Sequence, residues 1–222
     1  MNIEDNLNEK TSGMLENLKA QGYYVELEVN RKYTPQLKGA WGMVPVYKIV
    51  SQNDEPNPAA FTHELLHVYL FTQGFVDGEK VYREVFRENH LLSPGWIREI
   101  NNTLAHFKMV HLFIKLDFAK EQFFKGTPLD EWKHLRKFLL QIQPRTRDTI
   151  QQFVTAHATL RLLKDFFAID TSEGEAHLAQ VDTTLFGICD EVIDRWIAVT
   201  DADNLRWYLN LRDRLQALLT DQ

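Results

Sequence analysis

Apolar positions along this chain change period twice, and the changes divide it. Leu7, Met14, Leu15 and Leu18 recur at helical spacing, which predicts a helix over 4–20 that Gly22 can close. Residues 23–29, YYVELEV, then alternate apolar and charged, the period of a half-buried strand. A second strand is predicted over 44–50, after the glycine-flanked stretch Gly39, Ala40, Trp41 and Gly42. From residue 57 helical spacing takes over. It predicts helices over 57–74, 78–89, 96–116, 129–142, 146–168, 173–199 and 202–219. The breaks fall at Leu92-Ser93-Pro94-Gly95, Pro144, Gly174 and the turn 200–203. This pattern predicts an α+β fold, predominantly helical: a small N-terminal sheet with its helices, then a C-terminal helical bundle. We divide the chain into a core over 1–126 and a helical extension over 127–222 packed on it.

The chemistry gathers in NPAAFTHELLHVYLFTQG, residues 57–74. Asn57 can accept hydrogen bonds from the first free amides, Pro58 sits where its missing N–H costs nothing, and Gly74 supplies a left-handed end. Inside lies His63-Glu64-Leu65-Leu66-His67, an HExxH motif. Positions i and i+4 stack on one helix face, so both imidazoles can converge on one ion, as zinc requires of two of its ligands. The surrounding residues are almost all uncharged, which predicts a buried helix. Burying two histidines and a glutamate is costly unless something satisfies them, and a metal does so directly.

On these residues, AFTHELLHVY, the chain resembles the zincin metallopeptidases. The resemblance implies that His63 and His67 bind zinc (Zn2+) and that Glu64 activates a water for attack on a peptide bond. It makes 1–126 a zincin-like catalytic core, and the substrate a peptide or protein. It also implies an edge strand that holds the substrate by added strand pairing, for which 41–47 is the candidate. The metzincin extension is absent, because Leu70 stands where that pattern needs glycine.

A catalytic zinc takes three protein ligands and keeps one position open. The sequence offers His106 first. It shares a helical stripe with Asn102 and Glu99, one and two turns earlier, on an otherwise apolar helix. Glu99 is the second candidate and Glu88 the third. Asn102 could orient a ligand or bound water, while Tyr82 and His111 could donate a hydrogen bond to an oxyanion.

Two further readings stay open at this point. One is a non-catalytic, zinc-stabilised binding protein with every metal position filled by the chain. The other is a metal-free helical interaction or regulatory protein in which HELLH is packed core.

Composition narrows the partners. The net charge is −6 and no basic run stands out, which argues against nucleic acid. No apolar stretch reaches the eighteen or so residues that a membrane span needs. The acidic start, MNIEDNLNEK, is unlike a secretory signal, and the single cysteine, Cys189, suits a reducing compartment, so the expected location is cytoplasmic. Oligomeric state is not legible.

Overall fold

The computed structural model describes residues 7–29, 36–40, 46–51, 57–124, 126–143 and 146–220 of the 222. The fold is α+β and predominantly helical. Helix α1 (Glu9–Ala20) leads into strands β1 (Tyr24–Val29), β2 (Gln36–Ala40) and β3 (Val46–Ser51), and then into α2 (Pro58–Thr72). A short α3 (Gly78–Val81) runs into a π-helical turn (Tyr82–Phe86). The long α4 (Pro94–Lys115) and a 3-10 turn (Lys120–Gln122) follow. The remaining helices are α5 (Pro128–Leu139), α6 (Arg147–Phe167), α7 (Ser172–Val181), α8 (Thr183–Ala198) and α9 (Asn204–Thr220). Among the described residues no helix is long and apolar enough to cross a membrane.

The chain folds as two compact units. The first takes 1–72 and 109–125, the second 73–108 and 126–222. The segment 73–108 therefore packs with the C-terminal helices, and α4 contributes to both units, 94–108 to one and 109–115 to the other.

In the first unit the strand order is β1-β3-β2, with β3 parallel to β1 and antiparallel to β2. Strand alternation puts Val25, Leu27, Tyr47 and Ile49 on one face, where α1 and α2 pack. Leu15, Leu18, Ile49, Phe61, Leu65 and Val68 form the core between them. The opposite face carries Lys48, 4.0 Å from Glu26 and 3.8 Å from Glu28. Thr11 and Thr62 share a buried hydrogen bond of 3.2 Å that ties α1 to α2. The end of α4 is fixed to α1: Asn8 Nδ2 donates to the Leu116 carbonyl at 2.7 Å, and Lys10 Nζ reaches Asp117 at 2.6 Å.

Three local expectations need correcting. Val46 and Tyr47, from the segment 41–47 expected at the sheet edge, lie in the central strand. Tyr47 stands opposite Val25 on one side and Gly39 on the other, so its ladder positions are already filled. Residues 41–45 lie outside the described residues. Gly174 was expected to break a helix and instead lies inside α7, buried against Leu160, Leu139 and Trp132. A Cβ there would come 2.8 Å from Leu160 Cδ2, so the glycine serves a close approach of helices. The span 173–199 is two helices, because the Asp182 carboxylate accepts the Leu185 amide at 2.9 Å and starts α8.

The second unit holds the first part of α4 by buried and part-buried polar bonds. Trp196 Nε1 donates to the Leu104 carbonyl at 2.9 Å, and Lys108 Nζ donates to the Trp196 carbonyl at 2.6 Å. Asn204 Nδ2 donates to Asn101 Oδ1 at 2.6 Å and to the Val76 carbonyl at 2.8 Å. Each of these bonds satisfies a group whose burial without a partner would be costly.

Candidate metal centre

Helix α2 has the ends its sequence predicts. The Asn57 side chain accepts the Ala59 amide at 2.9 Å, its carbonyl accepts the Phe61 amide at 2.9 Å, and Gly74 has φ +97°. The expectation of burial on all sides is only partly met. Ala59, Phe61, Thr62, Leu65, Leu66, Val68 and Leu70 are buried, whereas His63, Glu64 and His67 are half-buried. The HExxH residues thus keep some contact with solvent, as do Ala60, Tyr69, Phe71 and Thr72.

His63 and His67 lie one turn apart, with ring centroids 5.3 Å apart and planes inclined at 63°. His106, on α4, is only 7% exposed. One ring nitrogen from each of His63, His67 and His106 falls within 4.8 Å of the other two. In a tetrahedral zinc site, nitrogens about 2.05 Å from the ion stand roughly 3.4 Å apart, a spacing within the bound these three satisfy. Three imidazoles form a donor set suited to zinc.

The electrostatics favour the neutral form of His63 and His67. Burial pushes the His63 pKa down to about 4, although a hydrogen bond with the Phe123 backbone opposes the shift. Burial, and next the neighbouring His63, push His67 down to about 3. Near neutral pH both rings therefore keep the lone pairs that a metal uses.

Phe123 is a component that sequence reasoning did not find. It follows the 3-10 turn, is 2% exposed, and lays its ring 4.6 Å from that of His63. Phe113 supports it at 5.3 Å. The only hint in the sequence is the Phe123-Phe124 pair in a polar loop, which carries no periodicity. The contact buries one flank of His63 and fixes the ring's orientation, as outer partners of metal-ligating histidines do.

The other expected residues do not join the cluster. Glu99 and Asn102 are exposed, so the stripe they share with His106 is buried only at the histidine. Glu88 is exposed in the turn after the π-helical segment and lines a surface cavity with Arg83, Arg87 and Arg212. Tyr82 Oη lies 3.3 Å from His90 Nδ1, and His111 is exposed. Cys189 is buried, and its burial raises the thiol pKa, which makes it inert.

No protein-family model matches the chain, and no curated protein and no solved structure matches it either.

Proposed function

We propose that the chain is a zinc-dependent metallopeptidase in which His63, His67 and His106 hold the ion and Glu64 is the general base. One observation carries this reading: three imidazole nitrogens from two helices lie within 4.8 Å of one another, with a half-buried glutamate beside the first. Three protein ligands are the number a catalytic zinc takes, and they leave one position for the reacting groups. A bound zinc supplies Lewis acidity, lowering the pKa of water to about 7 and polarising a carbonyl.

The chain's own residues do the rest. Glu64 takes the proton of the attacking water and returns it to the departing amine, which a half-buried carboxylate can do without leaving its helix. Phe123 holds His63 in place and excludes water from its flank. The substrate is a peptide or protein, and the lone, buried cysteine supports a reducing, cytoplasmic compartment.

The test is hydrolysis of a peptide mixture by purified protein before and after chelation. Hydrolysis should stop on chelation and return with one equivalent of zinc. Hydrolysis that survives complete removal of metal would refute the reading.

A further inference from the structure

Helices α5 and α7 enclose a groove of about 640 Å³ within the second unit. Each gives it one face. Trp132, Lys133 and Arg136 of α5, with Leu140 at its C-cap, recur at helical spacing along one wall. Glu173, Ala176, His177 and Gln180 of α7 do the same along the other. Gly174 lets the helices meet, since a Cβ there would lie 2.9 Å from Leu139 Cδ1 and 3.1 Å from Trp132 Cη2. Those two side chains, 3% and 8% exposed, make an apolar floor. The walls are tied by His177 Nε2, which donates to the Leu139 carbonyl at 3.0 Å, and by Arg136 Nη2, 2.9 Å from Glu173 Oε2.

The rim departs from the rest of the surface in two ways. Leu140 is 77% exposed, the most of any large hydrophobic among the described residues, and Leu129 is 50% exposed. At about 100° per residue, Leu129, Lys133, Arg136 and Leu140 fall within an arc of about 60°, so both leucines lie along the face that lines the groove. Its charge is also inverted. The chain carries −6 overall, yet the groove is lined by three cations and one carboxylate. Asp130 offsets Lys133 at 2.9 Å and Glu173 offsets Arg136, while Lys137 has no hydrogen-bond or ion-pair partner among the described residues.

We infer that the groove between α5 and α7 docks an acidic amphipathic helix of a protein partner. The groove needs nothing from the HExxH helix, so its role is independent of the peptidase reading. Ridges of side chains on one helix fit the groove between two others, and an apolar stripe laid there covers Leu129 and Leu140. Those leucines stand about 16 Å apart along the helix axis, about three turns. Acidic residues beside the stripe meet Lys133, Arg136 and Lys137, whereas lysines there meet like charge. A face of that length and one helix wide, about 10 Å, falls well short of the ~800 Å² per partner that a stable dimer buries. One helical segment therefore fits it better than a second copy of the chain.

The test titrates the intact chain into fluorescein-labelled helical peptides with leucines at i, i+4, i+7 and i+11 of an alanine-rich host. Glutamates flank the leucines in one set and lysines in the other. Anisotropy should show a glutamate peptide binding about tenfold or more tighter than its lysine counterpart, with an affinity that falls as salt rises. Leu140→Asp should weaken that binding about tenfold, and Lys137→Glu about threefold or more. Both side chains are exposed, so the variants should melt with wild type. Failure of every glutamate peptide to bind would overturn the docking groove, as would equal binding of the two sets or an affinity that either substitution leaves unchanged. Self-association of the wild-type chain that Leu140→Asp abolishes would give the face to a second copy and overturn it as well.

Discussion

Glu64→Gln is expected to lower peptide hydrolysis by about 10²–10⁴-fold, the usual contribution of a positioned general base. The amide keeps the shape of the carboxylate and some of its hydrogen bonding but cannot take a proton at neutral pH. Zinc content should not change, because Glu64 is not among the three residues whose nitrogens converge. The variant therefore separates chemistry from metal binding. A fall in kcat with full zinc loading assigns the base to Glu64. Unchanged hydrolysis by fully loaded protein would remove Glu64 from the mechanism.

Acid should act on the centre in a window of its own. Burial holds the folded-state pKa of His63 near 4 and that of His67 near 3, while both titrate near 6.5 in an unfolded chain. Above about pH 6.5 both states carry neutral rings, and these groups leave stability independent of pH. Below about 6.5 the unfolded chain binds the extra protons, so stability declines as pH falls and levels off only beneath the two folded values. The carboxylates with lowered pKa values, Asp130 and Asp190 at about 2 and Asp170 held down by the Ser172 hydrogen bonds, contribute to the loss only at lower pH. Denaturant midpoints of the metal-free protein should therefore drop between pH 7 and pH 5, and His67→Gln should flatten that drop. The folded, zinc-loaded protein should keep its metal through this window and release it only towards pH 4 and below, where protons compete for the same nitrogens. A midpoint that is flat across this range would mean that the two rings are not held neutral by burial.

Local signals were the part of this molecule legible in its sequence. Asn57, Pro58 and Gly74 mark the ends of α2 through capping and left-handed geometry, which need no tertiary partner, and the structure places the helix between them. The alternation in residues 23–29 likewise identifies β1. Pairing was another matter. Gln36–Ala40 reads QLKGA, with neither alternation nor β-branched residues, and becomes a strand only because β3 lies beside it. Which strand is central depends on chain crossovers that no local period records. Gly174 looks like punctuation, yet Leu160 and Leu139 crowd the place a Cβ would take, which makes it a packing residue.

The site divides along the same line. The i, i+4 spacing brings His63 and His67 together without help from the rest of the fold. Periodicity puts Glu99, Asn102 and His106 on one stripe, and only packing shows that the carboxylate and the amide face solvent while the imidazole turns inward. Phe123 comes from a loop beyond α4, where sequence offers no period to extrapolate.

Quantitative metal analysis of purified wild-type protein beside His63→Ala, His67→Ala, His106→Ala and Glu99→Ala tests the three-histidine centre most directly. The account predicts one zinc ion per chain in wild type and in Glu99→Ala, and only a small fraction of that in each histidine variant. Wild-type protein free of metal, or full zinc retained by His106→Ala, would contradict it.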